Sequence, residues 1–217
     1  MMKLQFIKFL SYLRLAGLLL VTGCASNTVN LQVVSEVPAP VVQRIPLTMG
    51  IYYDDKFRNY VFKENSEDRE NWMIDNRVSR LALFLGILEA MFNQVKPITD
   101  PNDNAVVSAV DAIMTPEVLD MQVSLPRETL TDSYEAWIKY TIRLYQPKGN
   151  LISEWPVTGY GKASTELFKS KEKGLNTAIN QALRDIGAKI ALTYTKHPDV
   201  YDWLVTKINC SEYSALC

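Results

Sequence analysis

Two rhythms of apolar and polar positions divide residues 45–208. Leu47, Met49, Ile51 and Tyr53 alternate with Thr48, Gly50 and Tyr52, the period-two signature of a strand. Asp54-Asp55 ends that run, and 58–63 reads as a second short strand. A charged stretch, 64–75, leads into a helix. There Val78, Leu81, Ala82, Leu85, Leu88 and Phe92 fall at helical spacing, with Phe84, Ile87 and Met91 as a second apolar stripe. Two stripes exceed what one buried face requires. The helix is either sunk in a core or offers one stripe to a partner. Residues 94–99 read as a strand and 100–104 as a turn. A long strand follows over 109–124, where Pro116 marks a bulge or an edge. The clearest strand sets Ala136, Ile138, Tyr140, Ile142 and Leu144 against Trp137, Lys139, Thr141, Arg143 and Tyr145. Pro147-Lys148-Gly149-Asn150 is a turn, and 151–161 is its hairpin partner. The last long element is a helix over 171–194. Its apolar face is Leu175, Ala178, Ile179, Ala182, Leu183, Ile186 and Ile190, with Gly187 as an interior weak point. His197-Pro198 breaks it, and 199–208 reads as a short closing helix. The expected fold is α+β: one domain, a mostly antiparallel sheet packed by two main helices.

The first 44 residues follow neither rhythm. Lys3, Lys8 and Arg14 precede a short apolar run from Leu15 to Val21, and no acidic residue occurs before Cys24. The run is far below the ~20 residues that a spanning helix needs, so it reads as a targeting segment. Its end, Val21-Thr22-Gly23-Cys24, resembles the lipobox of bacterial lipoproteins. That resemblance implies a signal peptide over 1–23, cleavage after Gly23 and covalent lipid on Cys24. Several acyl chains on one residue give stable anchoring where one is marginal. Ala25 and Ser26 lack the acidic residue that often retains such proteins at the inner membrane, which implies the outer membrane, facing the periplasm. Residues 24–44, with Pro38-Ala39-Pro40, read as a lipidated tether. Val33, Val34, Val37, Val41 and Val42 are apolar enough for part of it to pack on the domain. The domain itself is expected over 45–208 and a tail over 209–217.

Charge changes the picture only by exclusion. The chain has 23 Lys+Arg and 24 Asp+Glu; residues 1–23 hold three basic and no acidic residues, so the remainder carries 20 against 24, a balance of −4. No nucleic-acid partner is expected of such a chain. Cys210 and Cys217 remain after Cys24 and are either bridged in an oxidising compartment or two free thiols. A bridge closing so short a loop would contribute roughly 2–3 kcal/mol.

Little in the sequence carries catalysis. His197 is the only histidine, and its place before Pro198 at a helix end suits contact with terminal carbonyls better than a triad or a zinc site. Asp54 and Asp55, adjacent on a strand, would point to opposite faces. Gly159-Tyr160-Gly161-Lys162 lacks the spacing of a phosphate loop. Glycines there suit close helix packing, and Ser164 or Ser170 suits a helix cap. No enzyme, metal site or cofactor other than the lipid on Cys24 is expected. Glu64, Glu67, Asp68, Arg69, Glu70, Asp75, Arg77 and Arg80 form a mixed-charge cluster that reads as a solvated loop or a docking rim around Trp72 and Met73. With it, Trp72, Phe84 and Met91 form a candidate partner surface.

The order of elements, the lipobox and the Tyr160-Gly161-Lys162-Ala163 stretch before an alanine-rich helix resemble periplasmic lipoprotein domains of the CsgG/LpoB/YajG type. The likeness extends more loosely to the N-terminal domain of TolB. It rests on residues 47–54, 109–124, 137–145, 155–161 and 178–192. It implies a non-enzymatic accessory role in the cell envelope through protein contacts, with an envelope protein and the membrane as partners. The other reading is a periplasmic small-ligand or lipid carrier, which requires a deep apolar pocket between sheet and helices.

Overall fold

A computed structural model describes residues 28–34, 38–65 and 70–208. Cys24, Cys210, Cys217 and residues 67–69 of the charge cluster lie outside them. The elements run β1 (Thr28–Gln32), β2 (Ile45–Tyr52), α1 (Asp55–Asn59), β3 (Phe62–Glu64), β4 (Asn71–Asp75) and α2 (Arg77–Met91). They continue with β5 (Phe92–Ile98), α3 (Asn104–Val107), β6 (Ala112–Ser124), α4 (Pro126–Thr129), β7 (Ser133–Tyr145) and β8 (Leu151–Ser164). Helix α5 (Lys171–Thr193) and α6 (Pro198–Lys207) close the chain.

The α+β fold and its two main helices are present, but the sheets are mixed. A five-stranded sheet has the order β5-β2-β6-β7-β8, with β2 parallel to both β5 and β6 and only β6-β7-β8 antiparallel. Parallel neighbours need crossover connections; here α2 carries the chain from β4 to β5. A smaller sheet, β1-β4-β3, pairs β1 parallel to β4. Part of the tether therefore forms a strand, Thr28–Gln32, and buried Val33 joins the core.

Two local expectations fail for physical reasons. Residues 55–59 are a helix because the Asp54 side chain caps it, accepting from the Phe57 N–H at 2.6 Å. The charged stretch hides β4, whose Trp72 and Ile74 point inward while Met73 points out. Pro116 lies in a regular part of β6. Strand β2 pairs with β6 only up to Met114, so the missing N–H of Pro116 costs no ladder bond on that side. The bulge falls instead at exposed Leu119, between Val118 and Asp120.

Helix α5 follows its expected face closely: Leu175, Ala178, Ile179, Ala182, Leu183, Ile186 and Ile190 are all inaccessible. The Ser170 hydroxyl caps it by accepting from the Lys173 N–H at 3.4 Å. The helix descends onto β8 because Gly159 and Gly161 have no side chains. A Cβ on Gly161 would lie well inside 3.0 Å of the Ala178 and Ala182 backbone, and one on Gly159 would meet the Ala182 carbonyl. In contrast, nothing lies within 4 Å of a Cβ on Gly86.

Gly161→Val should therefore lower the unfolding free energy by about 3 kcal/mol through overpacking. Gly86→Ala should raise it by up to ~1 kcal/mol through helix propensity. Denaturant titration of both variants checks the pair; equal effects would contradict this packing.

Candidate functional site

The two faces of the large sheet differ. Tyr134, Ala136, Ile138, Tyr140, Ile142 and Leu144 of β7, with Trp155, Val157 and Ala163 of β8, meet the helices and are buried. The space in which a carrier would need an apolar pocket is thus filled by core side chains. The opposite face of β6–β8 is open. Across it, Trp137 pairs with Tyr160, ring centroids 4.9 Å apart, and Lys139 stands opposite Thr158 and Asp120. Gln122 donates to Asp120 at 2.9 Å. Burial and a bond to Glu135 push the Tyr160 phenol pKa up. Arg143 bridges Glu117 at 2.6 Å and Glu154 at 2.5 Å, which raises its own pKa and makes a fixed charged bar across the three strands.

At the hairpin end of this face lies a cleft of about 510 Å³, with Tyr52, Ile113 and Tyr145 in its wall and Asn102, Asn104, Thr115, Gln146 and Lys148 as polar groups. Gly149, at φ 88°, forms the turn that borders it. Its lining mixes aromatic and polar groups, unlike the deep apolar pocket that the carrier reading requires.

The β8 edge of the sheet is closed. Asp185 accepts from the Tyr160 N–H at 3.0 Å, Gln181 accepts from the Lys162 N–H at 3.0 Å, and Lys189 donates to the Thr158 carbonyl at 2.7 Å. Pro156, two residues along, has no N–H to offer. An edge so occupied does not template another strand.

The residues picked out as a partner surface are not on a surface. Trp72, Phe84 and Met91 are 3%, 1% and 2% exposed and belong to the main core. Helix α2 turns its second stripe inward with Leu83 and Ile87 and leaves Val78 exposed, because its core face is offset from the stripe that starts at Val78. Met73 does reach solvent. Arg80 is likewise not a solvated charge. It is fully buried, donating to Asn76 Oδ1, to the Phe57 carbonyl at 2.6 Å and to the Tyr60 carbonyl at 3.3 Å. Its guanidinium carbon stands 4.9 Å from the Phe57 ring centre and 5.5 Å from that of Tyr60. Burial lowers its pKa. Among the described residues of the cluster, Arg77 clamps Asp75 at 2.7 Å and Lys171 holds Glu70 at 2.5 Å.

His197 stacks on Trp155 at 4.4 Å, and its Nε2 is buried without a partner. Ser153 and Asp199 share this corner, but the hydroxyl donates directly to the Asp199 carboxylate at 3.3 Å. A relay from hydroxyl to imidazole to carboxylate is not made. Asp54 and Asp55 serve the start of α1. Among the described residues, no three His, Cys, Asp or Glu side chains gather to hold a metal, and no helix is long and apolar enough to cross a membrane.

No protein-family model matches the chain, and no curated protein does. Among solved structures it is similar to protein XCC0632 from Xanthomonas campestris, of the DUF330 family. The identity is 10%, 75% of this chain and 92% of that one are covered, and the TM-score is 0.50. A looser likeness is to a Helicobacter pylori protein whose name marks it as a neuraminyllactose-binding hemagglutinin homolog: 11% identity, 83% and 100% covered, TM-score 0.48. Another is to a minor lipoprotein from Acinetobacter baumannii, at 14% identity, 71% and 92% covered, TM-score 0.40. The first likeness shows a shared α+β fold. It does not single out the CsgG/LpoB/YajG type.

The His197 corner has a measurable consequence. Burial holds its imidazole below the ordinary histidine pKa, with Asp199 opposing in part. The unfolded chain then binds the proton more readily than the fold. This contribution to stability is complete above the ordinary value of ~6.5 and is lost as pH falls through it toward the folded pKa. The melting temperature should drop between about pH 7.5 and 5.5, and His197→Phe, which keeps a ring on Trp155, should flatten that slope. Thermal scans of both proteins across this range check it; an equal slope in the variant contradicts it.

Proposed function

We propose that this protein is a lipid-anchored lipoprotein of the cell envelope, held through Cys24 on the outer membrane and facing the periplasm. It acts without catalysis, as an accessory that binds an envelope protein. The lipobox supports the anchor. The open face of β6–β8 is the observation that carries the binding role. Trp137 and Tyr160 sit there among Lys139, Gln122, Asp120 and Thr158, an aromatic centre in a polar rim of the kind that protein interfaces use. The helices cover the other face and side chains occupy the β8 edge, and this surface is left free to meet a partner. An anchor adds to this by confining the chain to a thin layer, which raises its effective concentration beside membrane-bound partners.

The test uses the full chain in cells, with a photo-crosslinking residue in place of exposed Lys139. The expected outcome is reproducible capture of one envelope protein, reduced at least tenfold by Trp137→Ala and by Cys24→Ser. Cys24→Ser should also leave the precursor uncleaved. Capture indifferent to Trp137→Ala overturns the binding face, and unchanged processing and membrane association of Cys24→Ser overturn the anchor.

A further inference from the structure

The anchor and the fold together fix which end of the domain meets the membrane. Only residues 25–27 separate Cys24 from Thr28, the first residue of β1. Four Cα steps reach at most about 14 Å, whatever their conformation. Thr28 is therefore held within that distance of the lipid headgroups, and the end of the domain that surrounds it is held there too.

That end can be identified. Thr28 pairs with Asn71, and the neighbouring Glu70 binds Lys171 at 2.5 Å and lies 3.9 Å from Arg127. Further along, the Asn180 amide donates to the Val34 carbonyl at 3.3 Å, so the segment from β1 runs beside α5 from its start. Nine residues of helix rise about 14 Å, whereas six extended residues span about 20 Å. Thr28 thus stands beyond the first turn of α5. The connections 125–132 and 165–170 lie at the same end, tied to each other by the Thr165 N–H donating to the Asp132 carbonyl at 3.0 Å.

Each of these two connections carries a bare leucine at its tip. Leu130 is 96% exposed and Leu167 is 78% exposed, more than the other exposed leucines of the domain. Leu130 also has φ 55°, a left-handed conformation that suits glycine or asparagine and is uncommon for leucine. Both features run against the stability of an isolated domain, and both fall beside the anchored strand. Neighbouring charges are mixed: Arg127, Lys169, Lys171 and Lys173 with Glu128, Asp132, Glu166 and Glu172. The balance does not call for a strongly anionic surface; it suits headgroups that carry both an amine and a phosphate.

We infer that the 125–132 and 165–170 connections form a membrane-contact surface, with Leu130 and Leu167 entering the headgroup region of the leaflet that holds the Cys24 lipid. This rests on the anchor proposed above and adds an orientation to it. The hairpin turn at Lys148 and the adjoining cleft then point away from the bilayer, and the open sheet face stands roughly along its normal, accessible to a partner.

The experiment uses the full acylated protein with Cys210→Ser and Cys217→Ser, carrying one added cysteine as Leu130→Cys, Leu167→Cys or Lys148→Cys. Each cysteine takes an environment-sensitive dye, and the protein is placed in vesicles of phosphatidylethanolamine and phosphatidylglycerol containing a quencher-bearing lipid. Dyes at 130 and 167 should shift to the blue and lose at least half their emission to the quencher, while the dye at 148 stays solvent-like. In the unlabelled protein, amide exchange over 126–132 and 165–170 should slow at least threefold when vesicles are present. Solvent-like dyes at 130 and 167, or unchanged exchange, in a protein that floats with the vesicles would overturn the orientation and leave the anchor standing. A protein without acyl mass on Cys24 that does not float would overturn both.

Discussion

The contact between α5 and β8 is the constraint on which the rest of the structure depends. Gly159 and Gly161 present bare backbone, and Ala178 and Ala182 add only a methyl each, so helix and strand approach until a single added Cβ would collide. This seats seven apolar side chains of α5 on the sheet. It also brings Gln181, Asp185 and Lys189, at the margin of the same helix, within reach of the β8 backbone. One close approach therefore both builds the core and occupies the edge. A helix held a few ångströms higher would leave the β8 amides as a template for another chain.

The second organiser is Arg80. A buried cation with no carboxylate bonded to it is expensive unless its donors are met. Here neutral groups meet most of them: an asparagine, two carbonyls and two aromatic faces. The carbonyls come from Phe57 and Tyr60, so the side chain pins the segment around α1 to α2 and holds the start of the crossover that makes β2 and β5 parallel. Replacing only the arginine would leave those carbonyls without donors, which is costlier than never having buried them.

Much of this was legible in the chain. The alternation of β7 and the 3.6-residue face of α5 are long and strongly periodic, and their core residues are those the pattern names. The glycines of β8 read correctly as close-packing positions, since a turn or phosphate loop needs different neighbours. Shorter elements escaped. Strand β4 is five residues among charges, and only the Trp72/Ile74 alternation betrays it. The buried face of α2 was misassigned because both of its stripes are apolar, and periodicity alone cannot say which one meets the core. Arg80 reads as one more surface charge, since nothing local announces carbonyls that arrive from 20 and 23 residues away. The parallel pairing of β2 depends on crossover geometry, which no local pattern encodes. The open face could be expected from Trp137, Lys139 and Arg143 alternating outward, but its freedom from cover is a property of the assembled fold.

Amide hydrogen exchange at Tyr160 and Lys162 tests the central claim, that α5 closes the sheet edge, most directly. In an uncovered edge strand these outward N–H groups would face water and exchange with little protection. Held by Asp185 and Gln181, they should exchange as slowly as the interior amides of β7, and Asp185→Ala should release Tyr160 selectively, by at least tenfold. Rapid exchange at both positions in the unmodified protein would contradict the account.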